Sequence, residues 1–325
     1  MDILLTALRA AAEPTRLRIL AILAENELTV SEFTQILGQS QPRVSRHLKV
    51  MCDAGLLERF REGAWAFYRL TDAGRGAQVA HALLPLIPAD DPALTRDLRR
   101  VEAVRHEREE GAARYFREVA PYWHHIRSLY VPESAVERAM VEALGDAPIG
   151  EMLDLGTGTG RILEVLAPRI RRGVGFDLSH AMLAVARARL AKAKIHHCHV
   201  RYGDLYNLPL ADDSVDVVTI HQVLHFLEDP RSGISEAARV LRPRGRLLVV
   251  DFAPHDLEFL RTEHAHRRLG ISDEAVSGWC RAAGLDVSPV VHLAGEPGAG
   301  QTLTVSLWLA VKRARARSRV QKVKS

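Results

Sequence analysis

The stretch E-M-L-D-L-G-T-G-T-G, Glu151 to Gly160, decides the fold of the larger part of this chain. Met152 to Leu155 is an apolar run of the length expected of a buried parallel strand. Gly156, Gly158 and Gly160 follow at alternate positions, and Arg161 to Leu166 (R-I-L-E-V-L) has the period of a helix that packs one face on a sheet. A strand that turns through glycines into a helix presents backbone N–H groups and a positive helix end to a polar ligand. A dinucleotide is the first candidate. Its G-x-G-x-x-G spacing needs a glycine at the sixth position, where this chain has Arg161, so the spacing here is G-x-G-x-G.

The elements downstream arrive in the order of a doubly wound parallel sheet. Val174 to Phe176 reads as a second strand ending in Asp177, a carboxylate placed to accept hydrogen bonds from both hydroxyls of a ribose. A third strand lies near Val200, followed by Gly203-Asp204-Leu205 and Leu208-Pro209. Val215 to Ile220 is a fourth, and L-R-P-R-G at 241–245 precedes a fifth, Leu247 to Asp251. Asp273 to Ala283 is helical, and Val287 to Leu293 and Thr302 to Val311 read as a closing pair of strands. Together these matches resemble the class I S-adenosylmethionine-dependent methyltransferases over about residues 115 to 312. The resemblance implies an α/β Rossmann-like domain that binds S-adenosylmethionine or S-adenosylhomocysteine. It carries cofactor contacts onto Asp154, Gly156, Thr157, Gly158, Gly160, Asp177, Leu178, Met182, Asp204, Leu205 and His221, with Asp204 meeting the adenine amino group. One departure is Arg244, where the family usually has glycine in an L-(K/R)-P-G-G turn.

Residues after the fourth strand would line the pocket of a methyl acceptor; here they are His221-Gln222-Val223-Leu224-His225. His221 or His225 is a candidate general base, since imidazole titrates near neutrality. The alternative is that His221 contacts cofactor and His225 packs on a helix. There is no N-P-P-Y element and no Pro-Cys nucleophile, because Cys198 follows His197. A DNA methyltransferase is therefore a weak reading. Three scattered cysteines argue against arsenite methylation. In the cluster His196, His197, His199, strand alternation puts only two rings on one face, and no metal site is expected.

The first 87 residues read differently. Leu4, Leu5 and Leu8 form one helical stripe, and a second helix starts near Pro14-Thr15 with Leu17, Leu20, Ile22 and Leu23 inward. Thr29 or Ser31 can cap a third helix running to Leu37. After the turn at Gly38-Gln39, Ser40 can cap a fourth, with Val44, Leu48 and Met51 inward. That is a helix-turn-helix. The outward face of its last helix carries Gln41, Arg43, Ser45, Arg46 and Lys49, donor types that reach phosphates and base edges. Leu56 to Phe60 and Trp65 to Leu70 read as a hairpin wing across Arg61-Glu62-Gly63-Ala64, with Arg59 and Arg61 placed to follow a DNA backbone. The segments P-T-R-L-R-I-L (14–20), E-L-T-V-S-E (27–32), S-Q-P-R-V-S-R-H-L-K (40–49) and R-E-G-A-W-A-F-Y-R-L (61–70) resemble the ArsR/SmtB winged-helix repressors over residues 4 to 86. The resemblance implies a homodimer through the first helix and Thr71 to Leu84, bound to an inverted-repeat operator in double-stranded DNA. Metal-sensing members carry C-V-C where this chain has Thr29-Val30, which removes the thiolates that soft ions require.

Pro85 to Pro92 breaks the chain, and residues 88–114 are expected to be a linker, with Leu94 to Glu118 a mostly exposed helix that reports motion between domains or serves as a rigid spacer. Tyr115, Tyr122 and Trp123 are candidates for a lid over the second domain or for plain core. Lys312, Arg313, Arg315, Arg317, Arg319, Lys322 and Lys324 crowd the last residues without an acid, so residues 313–325 read as a disordered basic tail, solubilising or gripping phosphates. They account for the net charge of +4 over 325 residues; the remainder is slightly acidic. Three unpaired-looking cysteines, no leader and no long apolar run place the chain in the cytoplasm, away from membranes. The expectation is a transcriptional repressor with S-adenosylmethionine or S-adenosylhomocysteine as effector, or an active small-molecule methyltransferase that regulates its own gene.

Overall fold

The computed structural model describes residues 1–24, 26–62, 65–71, 74–104, 106–107, 132–264, 266–294 and 303–314. The expected lid residues, most of the expected tail and the second half of the expected connector lie outside them. The chain divides into two compact units, Met1–Ala113 and Arg114–Ser325.

In the first unit, α1 (Asp2–Ala11) and α2 (Pro14–Leu23) lead through a short β1 (Leu28–Thr29) into α3 (Val30–Leu37) and α4 (Gln41–Asp53). Thr29 and Glu32 form a reciprocal capping box on α3, and Gly38 ends that helix at φ +63°. Ser40 stands at the N-cap of α4 but makes no side-chain cap bond, unlike the expectation; Pro42 in the first turn starts that helix instead. Val44, Leu48 and Met51 are buried, as the helical period requires. β2 (Leu57–Glu62) and β3 (Trp65–Leu70) form the wing, with β1 on the far side of β3. β2 runs two residues further than expected: Arg61 and Glu62 are strand residues opposite Ala66 and Trp65, so the turn is shorter.

After α5 (Gly74–Leu83), residues 92–104 form a helix, α6. It is not a free connector. Leu94, Asp97, Val101 and Val104 make a buried stripe, and both valines belong to the winged-helix core. Arg18 of α2 grips Asp97 through two hydrogen bonds of 2.6 and 2.7 Å, with Asp97 only 1% exposed. Arg100 donates to the Ile36 carbonyl at 2.9 Å, satisfying the end of α3 at the turn into α4. The periodicity hides this packing, because charges cover every other face of α6.

The second unit opens with α7 (Glu133–Leu144) and builds an eight-stranded sheet: seven strands run in the order β10-β11-β8-β7-β4-β5-β6, and β9 also pairs with β11. β4 (Ile149–Leu155), β5 (Ile170–Asp177), β6 (Cys198–Tyr202), β7 (Val215–His221) and β8 (Leu241–Phe252) are parallel; β11 (Val305–Lys312) runs against β8. One apolar layer joins the sheet to α7, α8 (Arg161–Leu166) and α9 (His180–Lys192); another joins its other face to α10 (Pro230–Val240) and α12 (Asp273–Ala282). Strands buried on both faces explain their unbroken apolar runs. β8 begins earlier than expected, at Leu241, with a bulge opposite Val215–Val217 and Arg244 in the left-handed region at φ +68°. The closing edge strand is split into β9 (Leu285–Val287) and β10 (Val291–Leu293), because Pro289 cannot donate to the ladder. Two of the basic residues near this end are anchored. Lys312 ends β11 and its ammonium donates to Asp213, and Arg313 pairs with Asp286 at 2.9 Å.

Replacing Asp97 by alanine leaves the Arg18 guanidinium without its partner. Asp97→Ala is expected to cost the first unit about 2 kcal/mol in urea unfolding, with Asp97→Asn costing less. Equal stability of Asp97→Ala and the parent would show that α6 is not held by this pair.

Candidate functional site

A cavity of about 420 Å³ opens at the carboxyl ends of the parallel strands, the place where open α/β sheets bind ligands. Most of its walls come from a strand end or the loop after it, with Glu133 at the start of α7, Arg161 and Ile162 of α8, and His266 completing them. β4 brings Asp154 and the glycine loop, and β5 brings Asp177 with Leu178, Ser179 and Met182. The segment after β6 adds Gly203 and Leu205; β7 and its following turn add His221 to Val223 and His225 to Leu227; β8 ends there at Phe252. The loop needs its glycines. Gly156 has φ +67°, and a Cβ there would lie 2.3 Å from a Val223 methyl.

Ten expected residues are thereby brought together: Asp154, Gly156, Thr157, Gly158, Asp177, Leu178, Met182, Leu205, His221 and His225. Two are not. Gly160 turns the chain into α8 beneath the loop, packed toward Ala186. Asp204 is exposed, and its carboxylate accepts from the Tyr206 N–H at 2.9 Å instead of facing the cavity.

The cavity holds polar atoms that want partners. Asp154 is 1% exposed; its Oδ1 accepts from the Thr219 hydroxyl at 2.6 Å, while its Oδ2 has no partner. The Thr157 hydroxyl is close enough to the same carboxyl to favour its charged form, though no hydrogen bond to Oγ1 closes within bonding distance, and His221 Nε2 is buried and unpartnered. Burial raises the Asp154 carboxyl to about 6 and lowers the His221 imidazole to about 4, which leaves that ring neutral. Asp177 accepts from Gly158 N–H and Ser179 N–H, each at 2.8 Å, and keeps lone pairs for further donors. Arg161 is the one Arg or Lys among the described lining residues, and it pairs with Glu137 and Glu164 at 2.6 and 2.9 Å.

His225 does more than pack. Its Nδ1 lies 2.7 Å from Oδ1 of Asp251, and the same carboxylate accepts from Phe252 N–H at 2.8 Å. Burial alone would raise Asp251; the charge and hydrogen bonds of His225, together with the Phe252 N–H, outweigh it and hold that carboxyl below the ordinary range. The His225 ring rests 4.0 Å from Phe226 and 4.1 Å from His266, centroid to centroid. The partnership with Asp251 and His266 was not foreseen from sequence. The one signal was Asp251 at the end of the apolar run of β8, level with the other strand ends.

On the first unit, Gln41, Arg43, Arg46 and Lys49 are exposed along α4, and Ser45 is half-buried. Lys49 pairs with Asp53 one turn on, at 2.8 Å. Among the described residues, Arg43 and Arg46 have no ion-pair partner. Arg59 is exposed on β2; the Arg61 side chain lies outside the described residues.

A winged helix-turn-helix in one unit and a Rossmann-like methyltransferase fold in the other define a two-domain protein. Residues 13–59 match the family model of bacterial regulatory proteins of the arsR family, and residues 153–249 match that of a methyltransferase domain. The chain thus carries a segment that matches the arsR-family model and, on a sheet of class I methyltransferase order, a segment that matches a methyltransferase-domain model. An uncharacterized 37.1 kDa protein in transposon TN4556 of Streptomyces fradiae is 32% identical over 47% of this chain and 48% of its own length. A demethylmenaquinone methyltransferase from Clavibacter sepedonicus is 36% identical over 39% of this chain and 49% of its own. This chain spans about half the length of these relatives. The crystal structure of the YcgJ protein of Bacillus subtilis superposes with a TM-score of 0.49 at 21% identity, over 56% of this chain and 99% of that one.

The sign of the Asp154 effect can be measured. Folded, Asp154 binds its proton up to about pH 6; an ordinary aspartate carboxyl, at 3.8, loses it sooner. Stability from this group therefore falls as pH rises through that window and is lowest above it. Asp154→Asn is expected to stabilise the ligand-free second unit above about pH 6, by at most roughly 3 kcal/mol, with the gain fading toward about pH 4. Urea titrations across pH check this; a pH-independent difference would contradict it.

Proposed function

We propose that this chain is a DNA-binding transcriptional regulator, a repressor, whose methyltransferase domain takes S-adenosylmethionine or S-adenosylhomocysteine as effector. One observation carries the reading: a helix-turn-helix with exposed Arg43 and Arg46, which have no ion-pair partner among the described residues, shares a chain with a cavity lined by buried polar atoms whose hydrogen bonding the fold leaves incomplete. The cavity fits that ligand chemically. Asp177 offers acceptors for ribose hydroxyls; Leu178, Met182 and Leu205 offer apolar surface for a purine; Asp154, Thr157 and His221 offer the buried polar atoms. The sulfonium form is a cation and the demethylated form is not. The carboxylates of Asp154, Asp177 and Glu133 along the wall therefore give a basis for telling them apart.

The working form is proposed to be a cytoplasmic homodimer on an inverted repeat, one α4 per half-site. Leu4, Leu5 and Leu8 on α1 support it: they are 38%, 40% and 39% exposed, and it is Ala7, Ala10 and Ala11 that the unit's own core buries. A second reading is an active small-molecule methyltransferase with an autoregulatory DNA-binding domain. His225, which lines the cavity and is paired with Asp251, favours it, and transfer of a labelled methyl group to a small acceptor would distinguish it from a pure sensor.

Arg46→Ala is expected to weaken binding to the chain's own upstream DNA about tenfold at fixed salt, through loss of a phosphate or base contact. Fluorescence anisotropy checks this, and an unchanged affinity would remove α4 as the reading face.

A further inference from the structure

The two ends of the parallel sheet carry opposite charge. At the carboxyl end Glu133, Asp154 and Asp177 line the cavity, with Arg161 as the one Arg or Lys among the described lining residues. At the amino end the balance reverses. Between Val165 and Gly203 stand eight arginines and lysines and one acid, Asp177, against 44 and 40 over the whole chain. Register puts Cys198, Gly173, Met152, Val217, Arg246 and Val311 level across β6, β5, β4, β7, β8 and β11. That row is about 24 Å long at the usual strand spacing. Segments far apart in sequence deliver cations just beyond it: the start of β5, the end of α9, the start of β8 and the end of β11. Three acids there are committed. Glu151 pairs with Arg171 at 2.7 Å, Asp216 with Arg242 at 2.6 Å, and Asp213 with Lys312 at 2.8 Å. Lys192, Lys194 and Arg244 are exposed and make no ion pair among the described residues. Lys192 sits in the last turn of α9, where a helix end favours a cation. Lys194 and Arg244 stand in the left-handed region, at φ +56° and +68°. Glycine would take both turns without strain. Backbone strain of this kind persists where the side chain has a task.

We infer that the amino end of this sheet grips the phosphate backbone of duplex DNA, apart from the helix-turn-helix. The choice of DNA rests on the regulator reading above. Exposed cations spread over the ends of separate elements suit a repeating polyanion better than one small anion, which needs donors converging on a point. A row of about 24 Å matches roughly seven base pairs at 3.4 Å each. The sequence runs on beyond β11 into residues 315–325, with five further cations and no acid. Contacts to phosphate add affinity and carry no base information, so this surface strengthens binding without setting the operator.

The test combines Lys192→Ala, Lys194→Gly and Arg244→Gly in the full chain and follows fluorescence anisotropy on a long labelled fragment of its upstream DNA over a salt series. Two of the changes put glycine at left-handed positions, so stability in urea is expected to hold or rise while DNA affinity falls. A merely structural role would lower stability instead. The affinity is expected to fall about tenfold or more, and the slope of log K against log salt to flatten by about 2 to 3, as up to three phosphate contacts are lost. Calorimetry with S-adenosylhomocysteine should show parent-like binding, because the cavity lies at the other end of the sheet. Unchanged DNA affinity and slope overturn the inference. Arg46→Ala is run beside it. Loss in Arg46→Ala alone keeps α4 as the reading face and removes this surface; loss in the triple variant alone keeps this surface and removes α4. A triple variant that binds DNA like the parent but no longer binds vesicles of phosphatidylserine and phosphatidylcholine gives the surface to a membrane and overturns DNA as its partner. If the triple variant unfolds, Lys192→Gln with Lys194→Asn decides by the same readings, since Asn tolerates the left-handed region.

Discussion

At the carboxyl end of β4, the Asp154 carboxylate is buried with half of its hydrogen-bonding capacity met, by the Thr219 hydroxyl of the neighbouring strand β7. Much of the second unit is arranged around that carboxylate. It ties together the two central strands at the point where both release their loops, the glycine loop from β4 and the His221–Leu227 turn from β7. Burying an acid with an unpartnered oxygen costs stability. The cost falls at the edge of a cavity, beside further polar atoms whose hydrogen bonding is incomplete, where a ligand can supply what the fold withholds. The left-handed loop at Gly156 packs without a side chain against Val223, so the two loops are fitted to one another as well as to a ligand.

The second half of the site uses the next strand along. Asp251 at the end of β8 reaches across to His225 after β7, as Thr219 reaches Asp154. Two buried carboxylates, on β4 and β8 with β7 between them, are pushed in opposite directions by their surroundings: burial raises Asp154, and the partnership with His225 helps to keep Asp251 below the ordinary range. Such a contrast lets one cavity both bind a polar ligand and offer a base.

What could be read in the sequence was what is local. The strand–glycine–helix pattern at Glu151–Leu166 and the inward residues Val44, Leu48 and Met51 follow from periods of a few residues, and Asp177 follows from its place at a strand end. Partnerships across distance could not be read. Asp251 and His225 are 26 residues apart, and Arg18 and Asp97 are 79 apart. Nothing in the charge-rich run around 97 distinguishes an acid that will be buried from one that will face water. Gly160 and Asp204 match their motifs in spacing, yet the first supports the turn from below and the second folds back on Tyr206 N–H. Residue type and order gave their neighbourhood; side-chain direction decided their role.

We propose that the two units are coupled, with the occupancy of the cavity weighting the affinity of α4 for DNA. Coupling of about 1–3 kcal/mol would suffice. The most direct measurement is fluorescence anisotropy of the full chain on its labelled upstream DNA at one fixed salt concentration. It is made without ligand, with S-adenosylmethionine, and with S-adenosylhomocysteine. The account predicts that one of the two shifts the DNA affinity by about fivefold or more and that the other does so less. The same affinity in all three would contradict it.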